Sequence, residues 1–314
     1  MSQFTRVAAM VTFLLKRLVQ GLMVIWVVAT LTFILLRLAP GGPFDRERRL
    51  PPEVLANIEA KYHLDEPLAK QYGRYLFGIF HADLGPSYKY LDRGVKEIIA
   101  DTLPTSALLG LVALSFALIV SLPAGLLAAY FRHSWIDRVS LLATSLGISV
   151  PHFILGALLI WLFALQLGWL QAGRWDTTAN MILPAITLGA APAAYLAALL
   201  RSTLIEALGE DFIRTARAKG LREDAVLFKH ALRNSLMPVL TVMGPLMAAL
   251  LTGSFVVEYV FAIPGMGQFF ITAVTDRDYP LIMGATLVYT ALLVTANLLV
   301  DVCYAYVDPR VRVN

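Results

Sequence analysis

The sequence predicts an all-α integral membrane protein with six transmembrane helices. Three observations carry that prediction. The chain of 314 residues is 58% hydrophobic and only 15% charged, whereas a soluble globular domain carries roughly a quarter charged residues. Its mean hydropathy is +0.68. Six stretches each reach the ~20 apolar residues that a helix needs to cross a ~30 Å hydrocarbon core.

The first stretch is Leu18–Leu38, preceded by Lys16 and Arg17. Its apolar run exceeds the roughly 7–15 residues of a signal-peptide core, and no A-x-A site closes it, so it reads as a retained signal anchor. The second is Thr105–Phe131, the third Val139–Leu167 and the fourth Met181–Leu200. The fifth runs from about Ser235 to Phe261 and the sixth from about Leu281 to Ala305. The chain thus divides into a tail and first span (1–38), a long extracytoplasmic loop (39–104), and a core of five spans (105–314) that includes a charged loop at 201–234. Pro123, Pro151, Pro184, Pro192, Pro238 and Pro245 fall inside the spans. Each removes a backbone donor and favours a kink. The single cysteine, Cys303, excludes an intrachain disulfide framework.

Lys and Arg set the orientation. With the N-terminus inside, the inner segments hold fourteen basic residues and the two short outer loops hold two, Arg174 and Arg277. The long outer loop holds nine, offset by ten acids. Both termini are therefore expected in the cytoplasm. The net charge of +4 is carried by basic loops and points to no nucleic-acid partner. In the outer loop, PPEVLANIEAKYHLDEP has Val54, Ile58 and Tyr62 at helical spacing with Pro67 as a stop, predicting a short helix. HADLGPSYKY reads as turn-rich loop.

Several chemistries lack their residues. Ion-coupled transporters place ionisable groups at mid-membrane. Here Arg37 and Asp301 lie at span ends, and His152 follows Pro151 as a helix-contact residue. No HExxH or G-x-S-x-G occurs, so membrane hydrolysis has no visible apparatus and no catalytic residue is assigned. No G-x-x-x-x-G-K-[ST] occurs either, so ATP is not expected to bind this chain. Thr144, Ser145, Ser149, Thr252 and Ser254 offer hydroxyls along a path; bonding back to their own helices is the competing role.

Residues 201–234 break the apolar pattern. Ile213, Ala216 and Gly220 repeat three and four apart beside a polar stripe of Arg214 and Arg217. Gly220 fits a left-handed cap with Leu221 following it, and Lys219 suits the helix dipole. A second helix is expected from Arg222-Glu223-Asp224 through Leu232. On spacing alone, a docking surface and a solvated basic loop both fit.

RTARAKG followed by LREDAVLFKHALRNSLMP resembles the cytoplasmic EAA loop of ABC-importer permeases, whose general pattern is E-A-A-x3-G-x9-I-x-L-P. Ala216, Gly220 and Leu232 fit that pattern; Arg214, His230 and Arg233 depart from it. The peptide and nickel branch is closer, and VVEYVFAIPGMGQF, LRLAPGGPF, ADLGPSYKY and the terminal DPRVR resemble its oligopeptide permeases. The resemblance implies a type I ABC-importer permease fold in the bacterial cytoplasmic (inner) membrane. It implies a homologous sister permease, two ATPase subunits that hold ATP and Mg, and an extracytoplasmic substrate-binding protein. Ile213, Arg214, Thr215, Ala216, Arg217, Ala218, Lys219, Gly220 and Leu221 would form the coupling helix on an ATPase. Glu258, Pro264, Gly265 and Gly267 would lie in an outer loop that meets the binding protein. Peptides are the implied cargo, translocated without bond chemistry in this chain. Dipeptides, glutathione or nickel on the same scaffold are the alternatives, and a stand-alone secondary transporter is a further one.

Overall fold

The computed structural model describes residues 3–44, 52–90, 92–171, 173, 175–251 and 254–307. Among these residues every regular element is a helix. Five helices are long and apolar enough to cross a membrane, or six when one sharply bent pair is counted as a span. The chain divides into two compact units, residues 1–105 with 264–294 and residues 106–263 with 295–312.

The first unit is built on α1 (Gln3–Leu38). α2 (Pro52–Lys61) is the short helix expected from PPEVLANIEAK. Pro67 does not end it; Pro67 instead precedes α3 (Leu68–Phe80), a helix absent from the sequence reading. Its period was present in Leu68, Tyr72, Tyr75, Leu76 and Ile79, broken up by Gly73 and Gly78. α3 packs on the end of α1: the Phe33 ring lies 5.3 Å from Tyr72 and 6.0 Å from Tyr75, and the Thr30 hydroxyl is 2.7 Å from the Tyr72 hydroxyl. α4 (Val95–Tyr130) starts ten residues before the expected Thr105. Val95, Ile98, Ile99 and Thr102, all buried, form a helical stripe that Lys96, Glu97 and Asp101 interrupt in a hydropathy reading.

The rest of this unit comprises α12 (Met266–Asp276) and the start of α13 (Tyr279–Val307). The outer segment 258–280 is thus partly helical where a loop was expected. Asp278, fully buried, ties the unit together. It accepts from the Ser87 hydroxyl, from the Tyr88 and Lys89 N–H groups at 3.1 and 3.4 Å, and from Leu281 N–H at 3.3 Å, which caps α13. Beside it Phe44, Tyr62 and Tyr88 form a ring trio with centroids 4.6–5.8 Å apart.

The second unit centres on α7 (Ile182–Gly209), whose Leu183, Leu196, Leu200 and Leu204 are all almost fully buried. The expected third span is broken. α5 (Trp135–Ser149) and α6 (His152–Leu159), with a π turn over Ile160–Gln166, are bent by 107°. Pro151 has no N–H to continue α5 and holds Val150 extended at φ −81°, ψ 120°. Pro184 lies in the first turn of α7, where no intrahelical bond is lost. In the expected fifth span, α10 runs over Leu232–Leu251, and α11 (Phe255–Val260) starts from the extended Ser254. Two shorter helices, α8 (Asp211–Ala218) and α9 (Glu223–Ala225), lie between α7 and α10.

Helices approach here at backbone distance. A Cβ on Gly110 of α4 would lie 2.3 Å from the Leu250 carbonyl oxygen of α10. One on Gly189 of α7 would lie 2.6 Å from the Ala113 carbonyl oxygen of α4. Small residues permit such approach in lipid, where close packing replaces hydrophobic exclusion as the force between helices.

Gly110→Ala forces α4 and α10 apart at a cost of about 1–3 kcal/mol, the range for overpacking. Thermal unfolding in detergent should show a lowered Tm, whereas Gly209→Ala, with no atom within 4 Å, should leave it unchanged. Equal midpoints for the two variants would contradict the close contact. A second prediction concerns Glu66, which meets Lys70 at 3.0 Å, Arg74 at 2.9 Å and His63 at 3.7 Å. The Lys70 hydrogen bond above all holds its carboxyl below the ordinary 4.5. A depressed folded pKa stabilises fully above the unfolded value and is lost as pH falls through the folded one. Hydrogen exchange over residues 62–74 should therefore quicken only below pH 4.5, and Glu66→Gln should remove that step.

Candidate functional site

α7 ends at Gly209, and Glu210, extended at φ −75° and ψ 154°, turns the chain into α8. α8 has one apolar face. Ile213 is 0% and Ala216 4% exposed, packed with Leu204 and Ala207 of α7, Ala129 of α4, and Val226, Leu227 and Ala231. The seven other residues between 213 and 221 are exposed. The nine predicted coupling residues thus separate into two anchors and an outward surface of Arg214, Thr215, Arg217, Ala218, Lys219, Gly220 and Leu221.

The stop at Gly220 is a complete Schellman cap. Gly220 has φ +74°, its N–H donates to the Arg217 carbonyl at 2.9 Å, and Leu221 N–H reaches the Ala216 carbonyl at 3.4 Å. Leu221 remains exposed. Arg217 then spans the cap with a bidentate pair to Glu223, at 2.8 and 3.2 Å. Arg214 pairs with Asp211 at 3.0 Å, one turn earlier. Both pairs are solvated and contribute little to stability.

The expected second helix is not separate. α9 passes through a π turn, Val226–Ala231, directly into α10. That turn buries Val226, Leu227 and Ala231 and leaves Phe228 and Lys229 outside. α10 is then tied to α7 by a reciprocal pair. The Thr203 hydroxyl donates to the Ser235 carbonyl at 3.1 Å, and the Ser235 hydroxyl donates to the Thr203 carbonyl at 3.2 Å.

Sequence reasoning missed a second tie. Arg201 of α7 grips Asp137 of α5 bidentately at 2.6 and 2.9 Å, and Asp137 also accepts from His133 N–H at 2.9 Å. Ser134 caps the same helix start through Asp137 N–H at 3.5 Å. The signal was available as the S-x-x-D pattern at Ser134–Asp137, a capping-box type. Its partner, 64 residues away, had no local mark.

The family model for the binding-protein-dependent transport system inner membrane component matches residues 121–313. The corresponding N-terminal model matches residues 10–110. The chain belongs to this permease family. It is 45% identical over 305 residues to the oligopeptide transport system permease protein OppB of Haemophilus influenzae, covering 96% of this chain and 100% of that one. It is 44% identical to the dipeptide transport system permease protein DppB of Bacillus subtilis, covering 97% and 99%. Among solved structures, the inward-facing MetNI methionine ABC transporter matches with TM-score 0.53 at 17% identity, over 67% of this chain and 96% of that one. An amino acid ABC transporter matches at 0.52 and 18%, over 67% and 94%. These two establish the ABC-importer permease fold. The family and the apolar spans make this a multi-pass protein of the bacterial inner membrane.

Against this permease fold the remaining candidates fall unevenly. Thr144 is buried and donates back to the Leu141 carbonyl at 2.9 Å, while Ser145 and Ser149 are exposed. Ser254 is the N-cap of α11, accepting from Val257 N–H at 3.3 Å, and Thr252 lies outside the described residues. Glu258, Gly265 and Gly267 are buried, which leaves Pro264 as the exposed member of the expected outer contact. Glu258 lies within α11, Gly265 is the N-cap of α12 and Gly267 lies in its first turn. His152 Nδ1 lies 3.1 Å from the Thr187 carbonyl, a helix contact. Among the described residues no group of three or more His, Cys, Asp or Glu could hold a metal.

Asp137 is buried while Arg201 is partly exposed, so removing Arg201 leaves a shielded carboxylate without its cation and costs more than breaking a solvated pair. Arg201→Gln should therefore lower the unfolding midpoint far more than Arg214→Gln, whose partner is solvated. A double-mutant cycle with Asp137→Asn should return a coupling above ~1 kcal/mol. Additive losses would remove the tie between α5 and α7.

Proposed function

We propose that this chain is the translocating permease subunit of an ATP-driven importer of oligopeptides. The observation that carries the reading is the 45% identity to an oligopeptide permease subunit along 96% of the chain. In this reading the chain performs no bond chemistry. ATP and Mg reside on two partner ATPases, a homologous sister permease completes the path, and an extracytoplasmic binding protein delivers the peptide. The excess of Lys and Arg on one side supports both termini in the cytoplasm, on the side of α8. The segment 39–104 and Pro264 then face the binding protein.

α8 with its cap is the coupling helix. Its anchors Ile213 and Ala216 hold it against the chain's own body, while its exposed residues meet the ATPase. A push on α8 passes to α7 through the short link at Glu210 and to α10 through the Gly220 cap and the Arg217–Glu223 pair. Thr203 and Ser235 keep α7 and α10 moving together. Dipeptides are the second reading, favoured by the 44% identity to a dipeptide permease. Competition between a dipeptide and a pentapeptide for uptake by the reconstituted transporter separates the two.

Gly220→Val places a β-branched residue at φ +74° where no neighbouring atom lies within 4 Å, so the effect is conformational. It costs at least about 1–2 kcal/mol, a factor of about 5–30 in the population of the capped turn. Peptide-stimulated ATP hydrolysis and uptake should fall by a similar factor, with peptide binding by the external receptor unchanged. Gly220→Asn, which tolerates the left-handed region, should retain most activity. Full uptake by the valine variant would end the assignment of α8.

A further inference from the structure

A pocket of about 400 Å3 opens at the end of α1, within the first unit. Its wall brings Arg37, Lys61 and Arg74 together with Tyr62, Tyr75 and Tyr88. The carboxylate of Asp83 is also present and accepts from Gly85 N–H at 3.0 Å. Arg37 is held in place from several sides. Its guanidinium lies 5.1 Å from the Phe33 ring and 5.6 Å from the Tyr279 ring. It donates to the Gln71 side-chain carbonyl at 2.5 Å. Gln71 is itself oriented, because its amide donates to the Leu64 and Glu66 carbonyls at 3.0 and 2.7 Å.

This fixed arginine forms no ion pair among the described residues, and its Nε is shielded from solvent without an acceptor there. The Tyr75 hydroxyl is in the same state. Burial pushes the Tyr75 pKa up to about 12, so it remains an O–H donor at neutral pH. A buried donor without a partner is costly, and more so when charged. Arg37 and Tyr75 line one pocket with Lys61 and with Arg74, which is paired to Glu66, and together they form a basic, tyrosine-lined cradle suited to an oxyanion.

The surroundings point to the source of that anion. Leu31, Ile34, Leu35 and Leu38 of α1 are 45–73% exposed, and Phe77 and Phe80 of α3 are more exposed than most. Cations and tyrosines at the end of an apolar span are placed at headgroup level in a bilayer. We propose that this pocket holds the phosphate of an anionic phospholipid, with the acyl chains lying along the exposed face of α1. The inference depends on α1 spanning the membrane and not on the identity of the cargo.

The test uses the full transporter with its partner subunits, purified in detergent and stripped of lipid. Phosphatidylglycerol, phosphatidylcholine, glycerol 1-phosphate and trialanine are added separately, and bound lipid is read by native mass spectrometry and by the shift in Tm. Phosphatidylglycerol should bind at least tenfold better than phosphatidylcholine, whose choline meets Lys61 and Arg74. Arg37→Gln should abolish that preference. Tyr75→Phe, which deletes an unmet donor, should keep the Tm of the lipid-free complex and reduce the phosphatidylglycerol shift at least threefold. Equal binding of the two lipids, or a preference unchanged in both variants, would overturn the proposal. So would an equal shift from glycerol 1-phosphate, which makes the ligand a free anion, or displacement of the lipid by trialanine, which makes the pocket a cargo site.

Discussion

A hydrocarbon slab offers no water to a broken backbone, and this constraint governs the protein. Each unsatisfied N–H or C=O costs several kcal/mol in lipid. The chain answers with helices, and at each interruption it supplies a specific device. At the bend after α5, Val150 N–H still donates to the Leu146 carbonyl at 3.0 Å, and Pro151 has no N–H to lose. Before α11, the Ser254 side chain takes over as acceptor. The π turns at 160–166 and 226–231 change pitch without abandoning the hydrogen-bond ladder.

The same constraint explains where charge is allowed. Acids and bases gather at helix ends, and the buried acids Asp137 and Asp278 have defined partners. Asp137 has Arg201 and the start of its own helix. Asp278 has two backbone N–H groups of the 87–90 turn, the Ser87 hydroxyl and the first turn of α13. α8 uses the opposite arrangement, with its charges solvated and only Ile213 and Ala216 turned inward.

Much of this was legible in the sequence. Span number and the glycine stop at 220 follow from composition and local rules, because lipid exposure and left-handed backbone leave direct marks on residue type. Helix breaks were less legible. Val139–Leu167 reads as one apolar run, since hydropathy does not register the angle that Pro151 introduces. Exposed polar residues beside a buried stripe mislead in the other direction: Lys96, Glu97 and Asp101 conceal the first three turns of α4. Side-chain roles at the site split the same way. Ile213 and Ala216 were visible as a face. The ties from Arg201 to Asp137 and from Thr203 to Ser235 join residues 64 and 32 positions apart, and no spacing rule reaches that far.

The π turn at Val226–Ala231 has a consequence for angular phase. Compared with an α turn it accommodates one additional residue, and one residue corresponds to about 100° of rotation about a helix axis. That extra residue fixes which flank of α10 faces α7. Without it, Ser235 would swing away from Thr203 and the flank carrying Val239 would turn out of its cluster with Leu196 and Leu200. The turn acts as a rotational spacer, setting the azimuth of a membrane helix from a segment that lies beside α8.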